Sequence, residues 1–449
     1  MDILNDTPFP CVALNGRLSF PGHSLTFIIK GAFELSAGGQ AIAADEQPYP
    51  TGDEYYPDDE AMQAGPRYAS DFAYFKPRAD LLLVGTCHAP NGKPVARCPA
   101  VFQVGDRRAV LAVSGDRTWQ RPEPEPFTRM PLRYENSFGG RGYDANPVGK
   151  GIDPRTGPDG RKLTPLPNVE HLGALLRSPD QRPAPAGFAP LNQTWTQRSS
   201  KLGSYGGDYV AERWPWFAAD FDWGFFNAAP PELQVEGYLR GDEPVYFENL
   251  HPEHARLHAA LPGLRVRCFV KRAETSAEAR TFHEVPMRLD TLWVDMDQPK
   301  LVLVWRGPTK VESEEPTEIE HVYIVSESLS EPQRPVEDFR ALFERRLAEL
   351  EQEGAVEIEP DGGEDPDPAE AGDGAEEEIA RAEEELRANL LAAGIDPDNL
   401  PPPDEEALAE EARILKELGF DEDPAEIPLT REDVEARVAA GESLANEDL

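Results

Sequence analysis

The chain of 449 residues is poor in cysteine, with Cys11, Cys87, Cys98 and Cys268 as its only four and no CxxC pair among them. That excludes a disulfide-scaffolded domain and a cysteine-rich zinc module, which both need closely spaced thiols. Long hydrophobic runs are lacking too. No apolar stretch approaches the roughly 18 residues needed to cross a bilayer. The opening MDILNDTPFPC has neither the basic nor the apolar region of a secretory signal. Clustered Lys and Arg are also missing, so nucleic acid and anionic membrane surfaces are not expected partners. The expectation is a reduced, cytoplasmic protein.

Enzyme signatures are equally sparse. AVSG (112–115) lacks the first glycine of a nucleophile elbow, and Gly149-Lys150 is followed by Gly151 rather than by the Ser or Thr of a P-loop. The glycine-rich FGGRG (138–142) is neither preceded by an apolar strand nor followed by a helix. No cofactor is therefore expected.

Proline and acid are abundant. The 45 prolines are about twice the ordinary share, which disfavours long helices and suits turns and edge strands. The net charge of −39 is uneven: residues 331–449 hold 39 acids against 10 bases, a net of −29. Residues 1–330 carry a net of only −10.

Along the body, apolar and β-branched segments read as strands at 25–33, 80–86, 100–104, 109–114, 233–239, 245–250, 265–271, 288–294, 300–305 and 319–325. RVRCFVK (265–271) puts Val266, Cys268 and Val270 on one face, the period of a half-buried strand. LVLVW (301–305) reads as buried on both faces. Asn91-Gly92 is a turn signal, because both residues tolerate positive φ. The fold class is mainly β, with two sandwich-like regions (1–118 and 233–330) joined by an irregular segment, 119–232, rich in Gly, Pro and aromatics. An amphipathic helix over 331–353 carries Val336, Phe339, Leu342, Phe343, Leu347 and Leu350 on one stripe. The acidic remainder, 354–449, reads as largely disordered with short helices at 376–391, 404–418 and 431–444. Thr430 and Asp433 resemble a capping box for the last of these.

Three constellations are candidates for chemistry. His251, His254 and His258 have spacings that two imidazoles on a helix use for zinc, but Pro252 and the preceding strand favour a polar inter-strand loop. Cys87, His88 and Cys98 could meet across a hairpin, although ordinary strand-end residues are the plainer reading. Asp208, Asp220 and Asp222 lie among aromatics, where paired acids would suit glycoside chemistry. Acids in turns more commonly accept backbone hydrogen bonds. No catalytic or metal-binding residue is assigned.

A series of motifs carries a family resemblance: GDRTW (115–119), PFTRMPLRYENSFGG (126–140), NPVGKG (146–151), LPNVE (166–170), PAGFAPL (185–191), DFDWGFFNAAPPELQ (220–234) and LRGDEPVYFENLHP (239–252). NDTPFP (5–10) and LTFIIKGAF (25–33) precede them, and LDTLWVD (289–295) and LVLVWRG (301–307) follow. Together they resemble a bacterial family of unknown-function domains among type VI secretion system accessory proteins, collinear over about residues 1–330. The resemblance implies a cytoplasmic adaptor or chaperone that holds a secreted effector toxin and helps load it on a VgrG or PAAR type spike protein. It implies no catalytic residue.

The motif residues also have a structural explanation. Gly139, Gly140, Gly149 and Gly151 can supply positive φ, and Arg117, Arg141 and Arg240 can pair with Asp116, Glu135 and Asp242. The residues expected to bind a partner are Trp195, Tyr205, Tyr209, Trp214, Trp216, Trp223, Arg141 and Arg240, because Trp, Tyr and Arg dominate binding hot spots. The rival readings are a carbohydrate-active enzyme built on the aspartates and a structural component of the spike.

Overall fold

The computed structural model describes residues 1–353 except 60–61, 157–159 and 274–281. The linker and short helices expected beyond residue 353, with the Thr430 cap, lie outside the described residues. The described chain is mainly β and contains several sheets without a barrel.

The largest sheet runs Gln234–Val235, Ala79–Val84, Arg288–Asp295, Lys300–Val311, His23–Glu34 and Cys11–Gly16, with Ile42–Ala43 on the end of His23–Glu34. The two β-rich stretches of sequence are thus shared within one sheet. Ala79–Val84 and Arg288–Asp295 are parallel neighbours. A parallel pair needs a long crossover, and the whole interval between these strands, including the irregular segment, supplies it. A five-stranded antiparallel sheet lies within that interval, ordered Val169–His171, Arg107–Ser114, Arg97–Val104, Pro244–Glu248, Arg256–Ala260. Gly105, at φ +53°, opens the two-residue turn of its central hairpin.

Asn91 and Gly92 do take positive φ, 56° and 64°. Their turn does not close a hairpin between 80–86 and 100–104, because those strands belong to different sheets. It lies where the chain crosses from one to the other. The strand expected over 233–239 shortens to Gln234–Val235, since Gly237 and Tyr238 both take positive φ there.

The two faces of the large sheet differ. One carries Phe27, Ile29 and Phe33 beside Leu301, Leu303 and Trp305, all buried in the main core with Phe102 and Val113 of the five-stranded sheet. The other carries Lys30, Arg306, Thr291 and Asp80. Three buried ion pairs lie there: Lys30 with Asp71 at 2.7 Å, Lys76 with Asp80 at 2.8 Å, and Arg306 with Asp290 at the β-bulge between Leu289 and Thr291. Arg306 also donates to the Ala73 and Asp71 carbonyls, at 2.7 Å each. Asp80 accepts from Asn227 Nδ2 and the Ala228 amide, at 2.9 Å each. Buried ions need such full pairing to offset their lost hydration. The pattern pins residues 71–80 and 227–229 to this face.

A four-stranded sheet, Asp2–Asn5, Ile319–Ser328, Leu264–Arg272 and Phe282–Val285, carries the helix Val336–Glu353. Phe339 and Phe343 of the expected stripe are buried against Phe269, Phe282 and Tyr323. Leu264–Arg272 is consequently not half-buried. Arg267 and Phe269, on the face opposite Val266 and Cys268, are buried as well, because Phe339 stacks on Phe269 at 4.9 Å and lies 4.6 Å from the Arg267 guanidinium. Lys300–Val311 is buried on both faces, as LVLVW suggested.

Candidate functional site

Aromatic residues between 204 and 217 form a lobe on the surface. Gly203 closes its neck: φ is +77°, and a Cβ there would come within 2.8 Å of Asp220 Oδ1. Asp220 then accepts from the Ser204 amide at 2.9 Å and its hydroxyl at 2.7 Å. The short helix Gly207–Glu212 follows. Tyr209 donates its hydroxyl to the Trp216 carbonyl at 2.8 Å, and Arg213 Nε donates to the Phe217 carbonyl at 2.7 Å.

Trp216 fastens the lobe to the turn before His23–Glu34. Its indole N–H donates to the Gly22 carbonyl at 2.9 Å. Its ring meets Phe20 edge-on at 5.4 Å and His23 at 5.6 Å, with the Arg17 guanidinium 5.6 Å from its centre. Beneath lie Leu18, Phe75, Phe221 and Trp223, a satellite core with Phe217 and Tyr209 packed against it. Docked in this way, the lobe turns Trp214 (55% exposed), Val210 (53%) and Tyr205 (42%) outward. Tyr205 meets Tyr209 edge-on at 4.6 Å, and Tyr209 meets Trp214 at 6.4 Å. Burial pushes the Tyr205 phenol up to about 12 and raises that of Tyr209, so both are neutral near pH 7.

Beside the lobe a cleft of about 110 Å³ is lined by Asn15, Arg17, His23, Tyr74, Phe217 and Glu314. Arg17 pairs with Glu314 at 2.8 Å. Arg17 Nε and His23 Nδ1 are buried without a hydrogen-bond partner among the described residues.

The eight residues expected to bind a partner divide accordingly. Tyr205, Tyr209, Trp214 and Trp216 come together in the lobe. Trp223 lies below it and is buried. Trp195 is in the main core, 3% exposed, with its N–H donating to the Gln63 carbonyl and its edge against Tyr134. Neither buried indole is available to a partner. Arg240 is exposed and pairs with Asp242 as expected, so its partner lies outside the lobe. Arg141 is exposed too. Its expected partner Glu135 pairs instead with Arg133, and Arg117 pairs with Glu170 rather than Asp116. Arg17, Phe20, His23 and Val210 belong to the site without having been singled out. The run Phe20-Pro21-Gly22-His23 was a usable signal, yet nothing local linked it to a segment nearly 200 residues away.

The motif glycines work in two ways. Gly140 and Gly151 take positive φ, +143° and +124°, whereas Gly139 and Gly149 are needed for space. A Cβ on Gly139 would lie 2.1 Å from the Asn146 carbonyl, and one on Gly149 would lie 2.7 Å from the Gly139 backbone. Asn146, fully buried, donates to the Tyr134 and Phe138 carbonyls. Lys150 donates to Asn136 at 2.8 Å and Asn168 at 2.6 Å, and burial lowers its pKa. These contacts hold PLRYENSFGG, NPVGKG and LPNVE in one folded knot.

The other constellations resolve as local structure. His251 Nδ1 accepts from the Glu253 and His254 amides in a turn, while His258 lies in Arg256–Ala260 against Tyr246. The segment is an inter-strand loop followed by a strand. Asp222 caps the turn Trp223–Phe226 through the Gly224 amide, Asp220 braces the neck, and Asp208 is exposed. Cys87 and Cys98 do meet, with 3.3 Å between sulfurs. Among the described residues no group of three or more His, Cys, Asp or Glu side chains is arranged to hold a metal ion, and no helix is long and apolar enough to cross a membrane.

Residues 22–306 match one family model, described as "Uncharacterized protein conserved in bacteria (DUF2169)". No curated protein matches the chain, and neither does any solved structure.

Proposed function

The chain belongs to this bacterial family, and we propose that it is a non-enzymatic adaptor of type VI secretion, a cytoplasmic protein that holds a secreted effector toxin for loading on a VgrG or PAAR type spike protein. Two things support the reading. The motifs from NDTPFP to LVLVWRG resemble accessory proteins of that system. The observation that carries a binding role is the lobe, where Trp214, Tyr205 and Val210 face solvent on a mount fastened through Trp216. Exposed aromatics held in place are the chemistry of an interface anchor, because they bury large area at little entropic cost. The carbohydrate-active reading has less behind it, since Asp220 and Asp222 accept backbone N–H groups that shape the loops.

The test is affinity purification of the tagged protein from its native host, comparing the natural chain with a Trp214→Ala/Tyr205→Ala variant. Loss of the co-purifying effector or spike protein, with the variant folded, is the expected result. Undiminished recovery would remove the lobe from the binding surface. Recovery of no secreted protein by either chain would remove the adaptor role.

A further inference from the structure

Cys87 and Cys98 form a paired thiol site that the binding lobe does not use. Cys87 sits in Thr86–His88, which pairs with Arg129–Pro131, and Cys98 is the second residue of Arg97–Val104 in the five-stranded sheet. Both are free thiols, and their sulfurs stand 3.3 Å apart. The backbone fixes this approach. Asn249 accepts from the His88 amide through its carbonyl at 2.8 Å, and its side-chain amide donates to the Pro99 carbonyl at 2.8 Å. One residue thus ties together the immediate neighbours of both cysteines. A disulfide needs sulfurs at about 2.05 Å, so the thiols must close by about 1.2 Å.

The two sulfurs are not equivalent. Cys87 is fully buried and Cys98 is 8% exposed. The two thiols share a hydrogen bond, and the pair titrates together, with the Cys98 pKa lowered and that of Cys87 raised by it and by burial. Cys98, the sulfur with a route to solvent, is the one that meets a small oxidant as its thiolate, and Cys87 is the thiol that resolves it. Elsewhere Cys11 is pushed up to about 12 by burial, and fully buried Cys268 is raised too.

We propose that Cys87 and Cys98 close to a reversible disulfide when the protein meets a hydroperoxide, locking the Thr86–His88 strand to the five-stranded sheet. The Cys98 thiolate attacks one oxygen of hydrogen peroxide, forming Cys98–SOH and releasing hydroxide. The Cys87 sulfur then attacks the Cys98 sulfur, the S–S bond forms and water leaves. Two thiols and one peroxide thus give one disulfide and two waters. A dithiol reductant reverses it by exchange.

The full chain, purified after treatment with a chelator so that metal-masked thiols are not counted as oxidised, is exposed to graded hydrogen peroxide and then alkylated in denaturant. Alkylatable thiols should fall from four to two, and trypsin should release peptide 79–97 joined to peptide 98–107. Dithiothreitol should restore all four thiols. The oxidised form should melt about 4 °C higher than the reduced one, as expected for closing a loop of roughly a dozen residues. Cys11→Ser should leave the linked pair intact, while Cys98→Ser and the apolar Cys87→Ala/Cys98→Ala should abolish it. Full alkylation of Cys87 and Cys98 after peroxide, or sulfinic acid on Cys98 without the linked pair, would overturn the site. A linked pair with no rise in melting temperature would overturn the locking.

Discussion

Two groups of aromatic residues in the same irregular segment meet opposite ends. Trp195 and Trp223 lie inside, whereas Trp214 and Tyr205, only a few residues away in sequence, lie outside. The difference is not one of residue type. Trp195 goes inside because the Gln63 carbonyl accepts its N–H and its ring packs edge to face with Tyr134, so burial leaves no polar atom orphaned. Trp216, half-buried, finds the Gly22 carbonyl and serves as the lobe's fastening. Trp214 has Tyr209 on one side and solvent on the other. An aromatic segment can therefore be core, clasp and contact surface within some twenty residues, and only the partner of each ring decides which.

The widest separation should appear in stability. Trp195→Ala is expected to cost about 4 kcal/mol, the usual penalty for deleting a buried indole, whereas Trp214→Ala should fall within about 0.5 kcal/mol of the natural chain. Urea denaturation of both variants checks this. Similar losses would mean that the lobe is part of the core and would break the division.

A second inner aromatic sharpens the contrast because ions hold it. Phe339 lies between the Arg267 and Arg334 guanidiniums, at 4.6 and 4.5 Å, and Glu327 ties both arginines, at 3.1 Å each. Burial would raise the Glu327 carboxyl, but hydrogen bonds from Arg334 and Arg267 outweigh it and hold the pKa below its ordinary 4.5. A depressed carboxylate stabilises fully above its unfolded value and loses that contribution as pH falls through the folded value. The helix Val336–Glu353 should accordingly loosen below about pH 4.5. Glu327→Gln should cost about 3 kcal/mol at neutral pH and flatten this acid dependence. A variant that keeps the same acid midpoint in a helix-reporting hydrogen-exchange experiment would assign the loosening to other groups.

Much of this was legible in the residues, for reasons that also mark the limit. LVLVW reads as a strand buried on both faces, since five consecutive apolar residues leave no side for water. RVRCFVK showed the correct inner face. Its outer face, Arg267 and Phe269, looked solvated because the covering helix comes more than 60 residues later. Lys30 and Arg306 inside apolar strands make sense only with Asp71 and Asp290, and no local pattern names such partners. Asp2–Asn5 was missed because it pairs with Ile319–Ser328 at the other end of the body. The aromatic stretch carries both buried and exposed rings. Its split into inner and outer rings depends on Gln63 and Gly22 carbonyls that lie far away in sequence.

The smallest effect concerns the acidic residues beyond the helix, and it tests whether the outer surface acts alone. Residues 354–449 carry 32 acids against 6 bases, a net of −26, enough to steer a basic toxin toward the body over a Debye length of about 10 Å at 0.1 M salt. Removing residues 354–449 should leave the aromatic lobe in place while weakening effector recovery a few-fold at low salt. The deficit should vanish as added salt screens the charge, because steering acts on encounter and the lobe acts on retention. A deficit that persists at high salt would assign those residues a contact of their own, and equal recovery at low salt would leave the lobe as the sole determinant. Combining the deletion with Trp214→Ala separates the two: additive losses mean independent contributions, and a deletion without effect in the Trp214→Ala background means that the charge serves only to deliver a partner to the lobe.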